Sequence, residues 1–89
     1  MRQTYIISYD IPKKNQNYEK VYDYLKGFGT WAHITESLWG IKSEKSASEI
    51  RDDLVKIAGT EANIFVLRSG VESAWKNVLC SNKWLQDNL

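Results

Sequence analysis

Apolar side chains stand on both faces of the run Thr4-Tyr5-Ile6-Ile7-Ser8-Tyr9-Asp10, and a strand in the middle of a sheet has this β-branched, aromatic pattern. Asp10-Ile11-Pro12 ends it, since Pro12 lacks a ladder donor and restrains Ile11. The polar stretch Lys13-Lys14-Asn15-Gln16-Asn17 reads as a loop with Asn17 as helix N-cap. From Tyr18 to Phe28 the spacing of Tyr18, Val21, Tyr22, Leu25 and Phe28 places them on one helical face, and Gly27 and Gly29 stop the helix. The run Trp31 to Lys42 has strand composition interrupted by Thr35-Glu36, which predicts two short strands joined by a tight turn or bulge.

Ser46 with Glu49 three residues on is a capping-box signature, and Ala47, Ile50, Leu54 and Ile57 line one side of a second helix ending near Gly59. Ala62 to Arg68 returns to strand, and its run Ile64-Phe65-Val66-Leu67 suits a buried one, with Ser69-Gly70 as the following turn. The order strand, helix, strand, strand, helix, strand is a split βαβ unit. It predicts an α+β, ferredoxin-like βαββαβ sandwich over residues 1–70, with two helices on one face of an antiparallel sheet. The remainder, residues 71–89, reads as a helical C-terminal extension of the same domain, from Val71, Trp75, Val78 and Leu79 and then Trp84, Leu85 and Leu89.

A chain of 89 residues makes one domain with a thin core. Four Trp and five Tyr are a large stock for it, so Trp31, Trp39, Trp75 and Trp84 exceed what the core needs and some are expected at a subunit interface, whereas Tyr5, Tyr22, Phe28 and Phe65 fall where core packing would place them. The single Cys80 forms no intrachain disulfide, and no apolar run reaches the roughly 18 residues of a membrane span. The first residues lead into a strand without signal-peptide features, which points to the cytoplasm. A net charge of +1 leaves any nucleic-acid contact to a local patch.

The segment Tyr9-Asp10-Ile11-Pro12, the helix centred on Val21 and Leu25, the turn Gly27-Phe28-Gly29 and the run Glu36-Ser37-Leu38-Trp39-Gly40 stand in an order and spacing that resembles the CRISPR-associated Cas-two family over roughly residues 4–68. A divergent SinR-like branch, similar also to VapD proteins, is nearest. The resemblance implies a homodimer in which aspartates of the first strands face each other; some members are described as metal-dependent endonucleases and others as DNA-holding scaffolds. By position Asp10 matches the family's acid, Tyr9 the aromatic before it, and Ser37 and Trp39 its serine and aromatic in the third strand. Basic residues common early in the family's first helix are represented by Lys20 alone, with Lys13 and Lys14 before it. The family's last segment is commonly a strand that pairs with the other subunit or the integrase; a helical tail counts against an integrase partner.

Asp10 suits Mg2+ or Mn2+, because hard cations take carboxylate oxygens and keep waters that can be activated or can orient a phosphate. One carboxylate is a poor site, so the chemistry asks for a dimer. The competing role for Asp10 is an Asx-type turn ahead of Pro12. Lys13, Lys14 and Lys20 flank the same strand end and would attract a DNA or RNA backbone, or else solvate the loop beside Glu19 and Asp23. His33, the only histidine, has no partner motif and reads as a strand surface residue; Cys80 reads as a structural thiol. Three functions follow as expectations: a Cas-two-like nucleic-acid-interacting dimer using Asp10, a non-enzymatic interaction or scaffold subunit, and a VapD-like toxin ribonuclease.

Overall fold

The computed structural model describes residues 2–12, 18–70 and 72–89. Strand β1 (Gln3–Asp10) is followed by helix α1 (Tyr18–Lys26), strands β2 (Trp31–Thr35) and β3 (Leu38–Ser43), helix α2 (Ala47–Ala58), strand β4 (Asn63–Arg68) and a short helix α3 (Asn82–Asn88). The strands form one antiparallel sheet of order β2-β3-β1-β4. This is the ferredoxin-like arrangement with a C-terminal helix added.

Strand alternation divides β1 between the two faces of the sheet. Tyr5, Ile7 and Tyr9 point with Trp39 and Ile41 of β3 into the main core, where Val21 and Leu25 of α1 and Ile50 and Leu54 of α2 cover them. Ser46 caps α2 through both halves of a capping box, its hydroxyl accepting from the Glu49 amide while the Glu49 carboxylate accepts from the Ser46 amide. Gly29, at φ 87°, makes the left-handed turn out of α1 into β2. The β2–β3 turn falls at Glu36-Ser37, one residue beyond the Thr35-Glu36 pair that the sequence points to, and the register slips between His33 and Thr35. The Asn17 cap lies outside the described residues.

The second face holds a second core. Ala32, Ile34 and the 1% exposed Leu85 form its centre, with Trp75, Val78 and Trp84 packed around them. The tail crosses this face as irregular chain before α3, instead of as the helix that the spacing of Trp75, Val78 and Leu79 suggests. Its backbone is spent on the sheet and on a left-handed Asn77 (φ 56°), with the Leu79 amide donating to the Ile34 carbonyl at 2.7 Å. Val71 lies outside the described residues. Thr4 donates to the Asn88 carbonyl at 2.8 Å and so ties the end of the tail to β1.

Two expectations about burial are corrected here. The β4 run is an edge strand paired with β1 alone; Ile64 and Val66 pack half-buried against the main core, but Phe65 is 61% and Leu67 40% exposed, because the tail covers the β2–β3 half of the second face and leaves the β4 half open. The Trp surplus is absorbed within the chain: Trp39 sits in the first core, Trp75 and Trp84 in the second, and only Trp31 is left 37% exposed. Among the described residues no helix is long and apolar enough to cross a membrane.

Candidate functional site

The end of β1, the start of β4 and the β2–β3 turn meet at one end of the sheet. Between them lies a cleft of about 610 Å3, a volume typical of small-molecule sites. Asp10 and Ser8 reach it from β1, Glu36 and Ser37 from the turn, and Asn63 and Phe65 from β4, with Tyr18 of α1 on its rim. The pairings Asp10 with Asn63 and Ser8 with Phe65 on adjacent strands place these four side chains on the same face of the sheet. Asp10 is exposed, and among the described residues none hydrogen-bonds its carboxylate.

Beneath the cleft is a hydrogen-bonded support. Trp39 Nε1 donates to the Tyr9 hydroxyl at 3.0 Å, and that hydroxyl donates to the Glu36 carbonyl at 3.4 Å. The same carbonyl accepts from His33 Nε2 at 2.9 Å, so His33 carries its proton on that nitrogen. The Tyr9 amide donates to the Ser37 carbonyl at 3.2 Å and pins the turn from the other side. His33 also stacks on Trp39, with ring centroids 4.2 Å apart and planes 14° apart. Burial pushes the Tyr9 hydroxyl well above the usual tyrosine range, so it stays protonated and keeps donating.

These contacts separate the residues singled out in the sequence. Tyr9, Asp10 and Ser37 line the cleft. Tyr9 at 4% and Trp39 at 0% exposure present almost no surface to a ligand; what they do is hold the turn that carries Glu36 and Ser37. Lys20 is exposed on α1 and is not among the lining residues, and Lys13 and Lys14 lie outside the described residues. His33 is a structural donor instead of a free surface group, and burial raises the Cys80 thiol, in keeping with an inert cysteine. Glu36, Asn63 and Phe65 escaped sequence reasoning as site residues. Glu36 and Asn63 carried no signal, since only the sheet register brings Asn63 opposite Asp10.

Among the described residues the lining has no Lys or Arg, and carries the carboxylates of Asp10 and Glu36, the hydroxyls of Ser8, Tyr9, Tyr18 and Ser37, the Asn63 amide and the open ring of Phe65. Asp10 and Glu36 are right in kind for a hard cation. They fall short in number: among the described residues no group of three or more His, Cys, Asp or Glu stands together as a metal site. A cation here would have to draw its remaining ligands from water, a substrate or a second copy. Compared with family models, curated proteins and solved structures, the chain matches none.

Proposed function

We propose that this chain is a self-associating, nucleic-acid-interacting protein of the Cas-two-like kind, one that holds a strand at the Asp10 cleft and cuts it weakly or not at all. The observation that carries the reading is the exposed Asp10 at the end of β1, set in one cleft with Ser8, Ser37, Asn63 and the open ring of Phe65. Hydroxyls and an amide are donors to phosphate and sugar oxygens, and an exposed aromatic ring accepts a stacked base whatever its identity. The carboxylates of Asp10 and Glu36 repel phosphate but accept from base N–H groups or a ribose hydroxyl. Cutting would need a bound cation to offset that repulsion, and one copy alone supplies too few ligands for it.

The test is a mobility shift with single-stranded RNA, single-stranded DNA and duplex DNA at low ionic strength, run alongside cleavage assays in Mg2+ or Mn2+. The expected result is a salt-sensitive shift, and no cleavage that separates the wild-type protein from Asp10→Ala. Absence of any shift removes the nucleic-acid reading, while cleavage that Asp10→Ala loses makes the protein an endonuclease. A second reading, a non-enzymatic protein-interaction subunit, is favoured by the exposure of Phe65 and Leu67. It gains if light scattering shows stable assembly while every nucleic acid fails to shift.

A further inference from the structure

The two edges of the sheet are treated differently. β2 is broken by a register slip between His33 and Thr35, its Ile34 carbonyl is taken by the Leu79 amide at 2.7 Å, and Lys26 stands 5.3 Å over the ring of Trp31 at its start. Bulges, charge and covering chain are the devices by which edge strands avoid pairing. Among the described residues β4 has no bulge and no covering chain, and its one charge is Arg68 at its end. It runs in unbroken register with β1 from Asn63 to Arg68, its four central residues Ile64-Phe65-Val66-Leu67 are uncharged, and among the described residues no other segment donates to or accepts from its outer side. Beside that edge the open face carries Phe65 and Leu67, 61% and 40% exposed.

We propose that β4 pairs with β4 of a second copy, antiparallel and about a two-fold axis, to make one continuous eight-stranded sheet. A row of free backbone donors and acceptors is met by another extended strand and by little else, and this strand is its own complement. A two-fold axis normal to the sheet keeps each face with itself, so residues directly opposite must share a face. Centring the pairing on Val66 meets that condition. It sets Phe65 of each copy against Leu67 of the other, and the two most exposed apolar side chains of β4 cover one another twice.

The inference rests on the self-association part of the proposed function and alters the rest. In this dimer the two Asp10 clefts open on the same face, but strand rise and spacing put their Cα atoms roughly 25 Å apart, too far for a shared cation. The mate adds no ligand to the cleft, which argues against cutting, and its Leu67 covers the Phe65 ring, so a strand held by the dimer would rest on Ser8, Ser37 and Asn63 instead of on a stack against Phe65. Six-residue strands bury less than the roughly 1,200 Å2 of a standard interface, so the dimer is concentration-dependent.

The experiment combines sedimentation across a wide concentration range with cysteine cross-linking in a Cys80→Ser background. Val66→Cys is expected to give a disulfide-linked dimer on mild oxidation, because facing residues of paired strands lie within disulfide reach, and Asp10→Cys is expected to give none. Leu67→Lys, at an exposed position outside the cleft, should keep the wild-type circular dichroism and raise the dissociation constant at least tenfold. Linking through Asp10→Cys but not Val66→Cys overturns the edge pairing and keeps self-association through facing acids. A chain that stays monomeric at all concentrations overturns the dimer, and a mobility shift by that monomer would leave the nucleic-acid reading standing.

Discussion

Gly40 shows how one missing side chain can join two parts of a fold. A Cβ built there would stand 3.1 Å from Cη2 and Cζ3 of Trp84, closer than carbon atoms pack without displacement. Position 40 therefore serves as the seat of the Trp84 ring, and through it of α3. Gly40→Val is expected to cost about 1–3 kcal/mol, the usual range for overpacking a filled site. Most of that cost should vanish in a Trp84→Ala background, where the ring is gone. Urea denaturation of the four proteins gives the coupling directly, and an equal cost in both backgrounds would mean that Gly40 is required for another reason. In the sequence Gly40 was visible only as the end of Glu36-Ser37-Leu38-Trp39-Gly40; its partner lies 44 positions on, and no local pattern connects the two.

At the level of elements, α1 and α2 are joined over the sheet by a polar contact as well as by Val21, Leu25, Ile50 and Leu54. Tyr24 of α1 donates to Asp53 of α2 at 2.6 Å, and Lys45, just ahead of α2, donates to the same Oδ2 at 2.6 Å. The hydrogen bond from Lys45, followed by that from Tyr24, holds the Asp53 carboxyl below its ordinary value of 3.8. A depressed carboxylate pKa contributes stability that is present above the unfolded value and lost as pH falls through the folded one. The melting-temperature gap between wild type and Asp53→Asn should thus be constant from neutral pH down to about pH 5 and close below about pH 4. A gap that ignores acid would show that the charge of Asp53 does nothing for the helix pair. The helices themselves were legible in the sequence, since apolar spacing marks the buried face and Ser46 with Glu49 marks a start. β4 was not: Ile64-Phe65-Val66-Leu67 identifies a strand, but an apolar run carries no record of which face is covered, and that depends on where the tail lies.

The tail decides how much of the molecule is interior. Without it the second face of the sheet would show Ile6, Ala32, Ile34 and Leu38 to water, Thr4 would lose the Asn88 carbonyl, and Ile34 would lose the Leu79 amide. Helical spacing over Val71 to Leu79 misread this segment because Trp75 and Val78 answer to a flat sheet beneath them instead of to their own turn. Removing residues 71–89 uncovers several large apolar groups at about 1.5–3 kcal/mol each, a sum comparable to the whole stability of a domain this small. The truncated chain is expected to lose its cooperative thermal transition, bind a hydrophobic dye and aggregate, even though every strand and both sheet-covering helices are still encoded. Retention of a sharp transition by residues 1–70 would show that one face of helices is enough. If the tail is required, the second face cannot also serve as a broad subunit interface. Any association through apolar surface would then have to use the β4 side of the sheet with Phe65 and Leu67, Leu79 on the tail itself, or Trp31 at the start of β2.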